Sequence, residues 1–95
     1  MKYLVVDGML HGTGIRDKNE GGYIPLESLK LPVDLIRKIE EWLEKYEQEH
    51  YNNFSNSNNI QELDKTGLEI SKQLKLIFGG GVTYFSSATM QTMEV

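Results

Sequence analysis

The chain contains no cysteine. Disulfide scaffolds, thiolate zinc centres and thiol nucleophiles are excluded together. Long apolar runs are missing too. Near the N-terminus the run is only Tyr3 to Val6, too short for the core of a secretion signal or for a membrane span. The expected address is therefore the cytoplasm. Positive charge is not in excess: ten Lys and Arg face fourteen Asp and Glu, for a net charge of −4. Direct nucleic-acid binding needs clustered Lys and Arg and is disfavoured. A basic protein partner fits, as does plain solubility.

The motifs of common chemistries are also lacking. Gly8, Gly12 and Gly14 follow an apolar run, but Asp17 stands where a dinucleotide fingerprint needs its third glycine. No Gly-Lys-Ser/Thr triplet exists for a phosphate loop. A metal site would draw on His11, His50, Asp7, Asp17 and Glu20, yet the two histidines have no paired spacing. Ser28, Ser86 and Ser87 lack the setting of an activated nucleophile. No catalytic set, metal or cofactor is expected.

What is present is one small domain. Ninety-five residues, 39% of them hydrophobic, suffice for one lean core that leaves much surface unburied. Lys2 to Val6 reads as a strand bounded by Asp7-Gly8, a hairpin-turn dipeptide. The chain either returns through Met9-Leu10-His11 or simply ends the strand there. Gly12 to Glu20 has glycine and charge without periodicity and reads as a loop, extended by Gly21-Gly22. Tyr23-Ile24 adds a short extended piece, and Pro25 opens a possible helical turn over Leu26 to Lys30.

A first helix begins at Pro32, with Asp34 in its first turn. Leu35, Ile36, Ile39, Trp42, Leu43 and Tyr46 form one apolar stripe, which His50 extends. Tyr51 to Asn59 reads as a mobile Asn- and Ser-rich linker. A second helix starts with Asn59 as N-cap and Glu62 three residues on. Its stripe is Ile60, Leu63, Gly67, Ile70, Leu74 and Ile77. A glycine on that stripe predicts close approach of another element, and Gly79 stops the helix. Val82 to Phe85 is a second strand, and Ser86 to Val95 either pairs as another or frays. The expected fold is α/β of the α+β kind. A sheet of three to four strands carries two helices on one face, in the order strand, loop, helix, helix, strand.

Two surfaces stand out for function. From Asp34 to Glu49 the first helix carries six acids against three bases. Arg37-Glu41 and Glu41-Lys45-Glu49 are favourable i,i+4 pairs, whereas Glu40-Glu44 is a like pair. Glu47 and Glu49 lie near the helix C-terminus, where the dipole disfavours anions. Local stability did not select those two, whereas a basic partner could. Glu40, Glu41, Glu44 and Glu47 are thus candidate partner-binding residues; an ordinary solvated face is the alternative. The second surface is the loop from His11 to Tyr23, with Arg16, Asp17, Glu20 and Tyr23 as candidates. Arg16 and Tyr23 are the best anchor types, although Tyr23 equally suits a core.

Three stretches also carry a family resemblance. They are Leu29-Lys30-Leu31-Pro32 leading into Leu35 and Trp42-Leu43-Glu44-Lys45-Tyr46; Leu63-Asp64-Lys65-Thr66-Gly67-Leu68-Glu69-Ile70 with Leu74; and Val82-Thr83-Tyr84-Phe85. Together they resemble small bacterial proteins, some of which look like immunity proteins of polymorphic or contact-dependent toxin systems. The resemblance covers most of the C-terminal two-thirds and consists of packing motifs, so no functional residue transfers. It implies an antitoxin that binds a toxin domain, for instance a basic nuclease-like one, and occludes its active site. The rival readings are a self-associating structural module and a phosphodiester-acting protein built on His11, Arg16 and Asp17.

Overall fold

The computed structural model describes residues 3–10 and 12–95. Among them the elements run β1 (Leu4–Asp7), β2 (Ile15–Asp17), a 3-10 turn (Leu26–Leu29), α1 (Val33–Tyr51), α2 (Ser57–Phe78), β3 (Val82–Ser86) and β4 (Gln91–Glu94). The strands form one sheet in the order β2-β1-β3-β4. The central pair, β1 and β3, is parallel, with Leu4 opposite Val82 and Val6 opposite Tyr84. A parallel pair needs a long crossover, and the two helices supply it. The outer pairs, β1 with β2 and β3 with β4, are antiparallel.

Alternation along the strands sorts the two faces. Leu4, Val6, Ile15, Val82 and Tyr84 point to one side and are buried. Against them α1 sets Leu35, Ile39, Trp42 and Tyr46, and α2 sets Leu63, Ile70 and Leu74. Each such side chain contributes about 1.5–3 kcal/mol on leaving water. Trp42 and Tyr84 lie with ring centroids 6.2 Å apart, and the Trp42 indole donates to the Leu63 carbonyl at 2.8 Å. Gly67 fulfils its expectation: a Cβ there would run into the Tyr84 ring, with Cζ 2.6 Å away. One helical turn earlier, Asp64 accepts the Tyr84 hydroxyl at 2.6 Å and that of Ser86 at 3.2 Å.

Five local expectations change. The first strand ends at Asp7, and Asp7-Gly8 is no two-residue turn: the chain returns only after Gly14, whose carbonyl accepts the Asp7 amide at 3.1 Å. Ile15–Asp17, read as loop, is strand β2, too short for a periodic signal but anchored by fully buried Ile15. The N-cap of α2 is Asn56, not Asn59. Its side chain accepts the Asn59 amide at 3.1 Å, because a run of asparagines offers several equivalent caps and the helix takes an early one.

The expected linker 51–59 shrinks to residues 52–56. Phe54 is tucked inward against His50 and Tyr46, with centroids at 4.8 and 6.1 Å. Its left-handed backbone (φ 55°) costs about 1–3 kcal/mol, which the aromatic packing offsets. Finally, Ile77 is 46% exposed, and Phe78, four residues after Leu74, takes the core side instead. The tail pairs as β4, antiparallel to β3.

Candidate interaction surface

On the sheet face opposite the helices lies a three-residue polar network. Asp7, at the end of β1, is 1% exposed. Its Oδ2 accepts Arg16 Nε at 2.9 Å, and its Oδ1 accepts the Tyr23 hydroxyl at 2.6 Å. A carboxylate this buried is costly unless paired, and Arg16 pairs it. Strand register explains the meeting. Arg16 pairs with Val5, so it shares the face of Val5 and Asp7, and Tyr23 bridges to Arg16 from the far side. The Thr13 hydroxyl, placed to bond the Ile24 carbonyl at 2.6 Å and that of Ile15 at 3.1 Å, pins the segment carrying Tyr23 to β2.

Burial first, and then the bond to Asp7, hold the Tyr23 phenol far above its ordinary pKa, with Arg16 opposing weakly. It stays protonated and donating. The Arg16 side chain is 31% exposed. Its terminal NH₂ groups make no hydrogen bond among the described residues, so a fixed guanidinium is presented outward.

Asp17 does not join this network. It faces away from Arg16 along the strand, and its Oδ1 accepts the amides of Asn19 and Glu20 at 2.8 and 2.9 Å. It therefore shapes a turn, and Glu20 is exposed at that turn. His11 lies outside the described residues.

The acidic face of α1 splits in two. Glu40, Glu44 and Glu47 are exposed and follow one another at four- and three-residue steps, so they form one row. Beside that row runs a furrow between α1 and the segment after β1. It consists of two adjoining hollows of about 350 and 170 Å³ that share Gly12 and Leu43. Leu26 and Ile36 make the larger hollow mainly apolar, Met9 and Leu10 line the smaller, more polar one, and Glu27, Glu40 and Glu47 stand on the rim. An apolar floor with a charged rim is the usual anatomy of a protein interface.

Glu41 points elsewhere, into a groove toward α2. The expected ion pairs Arg37-Glu41, Glu41-Lys45 and Lys45-Glu49 do not close. Among the described residues the salt bridges are Arg16-Asp7 and Lys38-Glu69, the latter 3.2 Å long between the helices. Exposed i,i+4 partners gain too little to fix two long side chains.

Two important residues escaped the sequence reading. Asp7 figured there as half of a turn dipeptide and as a conceivable metal ligand; no local pattern reports that its partners lie nine and sixteen positions away. Glu49 was placed on the solvated face but is 4% exposed. Its signal was present: Leu35, Ile39, Trp42, Tyr46 and Glu49 alternate four- and three-residue steps, so Glu49 occupies a core-side position of α1.

Among the described residues no helix is long and apolar enough to cross a membrane. No family model, no curated protein and no solved structure matches the chain.

Proposed function

We propose that this chain is a protein-binding domain of the immunity type. It acts in the cytoplasm as an antitoxin that seats on a cognate toxin domain with a basic, nuclease-like surface and blocks its active site. The observation that carries this reading is the row Glu40, Glu44 and Glu47, exposed and unpaired among the described residues, beside the apolar furrow. A helix packed on the core holds the backbone under those carboxylates, so their spacing along one face is fixed before a partner arrives. Basic side chains have aliphatic stems for the furrow and cationic heads for its rim. The acidic net charge of −4 adds long-range steering toward such a partner. No chemical step is assigned to the chain; occlusion alone does the work.

The test starts from a tagged copy expressed with its native gene neighbourhood. One stoichiometric toxin-like protein should co-purify and be released by high salt. Replacing Glu40, Glu44 and Glu47 together by Lys should weaken that complex and flatten its salt dependence. Unchanged affinity and salt dependence would remove the acidic row from the interface.

A further inference from the structure

A second concavity lies between α1 and α2, on the other side of α1 from the furrow. It encloses about 460 Å³, within the ~300–1,000 Å³ common to ligand pockets. Trp42 lies beneath it, fixed by its bond to the Leu63 carbonyl. Exposed Glu41 and Glu62 stand on opposite walls, one from each helix.

Glu49 is the unusual member. It lines the groove while being 4% exposed. One carboxylate oxygen accepts the Asn59 side-chain amide at 3.2 Å; the other has no hydrogen-bond partner among the described residues and, not being sealed from solvent, opens on the groove. Groove water is then its remaining partner, and a cationic donor entering the groove would replace that water with a charge-assisted bond. No resident cation takes that place. Lys45 lines the same groove without closing an ion pair, and Lys38 is engaged by Glu69.

Among the described residues no three His, Cys, Asp or Glu side chains gather as a metal site, whereas the acceptors along the groove suit a multidentate organic cation. A guanidinium is flat, always charged and carries five N–H donors in a fork. It can bond the free Glu49 oxygen and the Asn59 amide oxygen together, while the Glu41 and Glu62 carboxylates on the walls add negative charge around it. An ammonium is a compact point charge and satisfies fewer of these acceptors at once. An arginine stem would also lie along the apolar parts of Trp42 and Leu63.

We propose that the α1–α2 groove is a receptor for an arginine side chain of the protein partner, with Glu49 as its anchor. The proposal relies on the protein-binding reading only for the origin of the arginine; the site itself can be examined without any partner.

The experiment is a titration of the full chain with N-acetylarginine amide, followed by NMR at the Trp42 indole N–H and the Asn59 side-chain amide. Both signals should shift saturably. Glu49→Gln should weaken binding about tenfold, since a charge-assisted bond is roughly twice as strong as a neutral one and 1.4 kcal/mol is tenfold. Lys45→Ala, which removes a competing cation, should leave the affinity equal or raise it about twofold. N-acetyllysine amide should bind about fivefold more weakly than the arginine compound.

Absence of a saturable shift would overturn the proposal, as would equal binding by Glu49→Gln or tighter binding of the lysine compound. Should Glu49→Gln fail to fold, Lys45→Ala decides: an ammonium cannot accept from a guanidinium, so a several-fold loss there would mean that the arginine compound does not bind through the groove's carboxylates and would overturn the proposal. Failure of this titration leaves toxin binding at the Glu40-Glu44-Glu47 row untouched. Conversely, a chain that recovers no toxin can still bind the arginine compound.

Discussion

The Tyr23 hydroxyl donates to Asp7 at 2.6 Å across sixteen positions of sequence, and with Arg16 it closes the sheet edge over a buried carboxylate. Removing the acceptor strands both donors. Asp7→Ala is expected to cost about 1–3 kcal/mol, the penalty for leaving buried polar partners unmet. Tyr23→Phe deletes one bond and should cost about 1 kcal/mol. Urea unfolding of the two variants beside the parent checks both numbers, and at this chain length 1 kcal/mol moves the Tm by about 4–8 °C. An Asp7→Ala protein as stable as the parent would show that the network is ornamental to the fold.

Alkaline pH should unfold the domain through its two bonded phenols. Burial, followed by the bond to Asp64, holds Tyr84 far above its ordinary pKa, and burial with Asp7 does the same for Tyr23. Both phenols are released on unfolding and then ionise near pH ~10. Above that pH the folded state binds more protons than the unfolded one, so stability falls as pH rises; below it these groups leave stability flat. For fully buried Tyr84 the limiting slope is about 1.4 kcal/mol per pH unit. Denaturation midpoints taken from about pH 8 to about pH 11 should bend downward near ~10, and Tyr84→Phe should make the fall shallower. The same bend in Tyr84→Phe would place its cause elsewhere.

The class of fold was legible because its signals are local. Apolar stripes set the helices, Gly79 set the end of α2, and β-branched and aromatic runs set β1 and β3. Gly67 even announced a close neighbour before Tyr84 was known to be it. What stayed hidden depends on register between distant segments. A three-residue strand such as Ile15–Asp17 has no period to read. The antiparallel register of β1 against β2, with the bridge from Arg16 to Tyr23, decides that Arg16 and Tyr23 meet over Asp7 while Asp17 turns away. Arg16 and Tyr23, read from sequence as separate partner anchors, are thus joined in one internal network, and its organising residue, Asp7, carried no local signal of that role.

Gly67 offers a test with two opposing terms. Alanine is the better helix former by up to about 1 kcal/mol. Its methyl, however, would enter the Tyr84 ring, which is fully buried and held at its hydroxyl by Asp64, so the ring has no room to retreat. Overpacking of this kind costs about 1–3 kcal/mol, and the clash should win. Gly67→Ala is expected to lower the Tm, while the double variant Gly67→Ala with Tyr84→Leu should recover part of the loss. A Gly67→Ala protein more stable than the parent would mean that α2 can slide off the sheet at little cost.

Glu49 presents the reverse case, a residue whose removal should help the isolated fold. It sits on the core-side stripe of α1, near the helix end where the dipole disfavours an anion, and its buried carboxylate has one amide donor. Leucine has a similar volume, needs no hydrogen bond and would pack against Leu63 across the groove. Asn59 is exposed, so its amide turns to water when Glu49 is gone. Glu49→Leu is therefore expected to be neutral or stabilising by up to about 1–3 kcal/mol, as for other buried charges replaced by apolar side chains. Thermal melts at neutral pH measure this directly. A stabilised Glu49→Leu that no longer binds N-acetylarginine amide would show that this position trades stability for recognition. A loss of more than about 1 kcal/mol would instead make the Glu49-Asn59 bond a structural clamp between the helices.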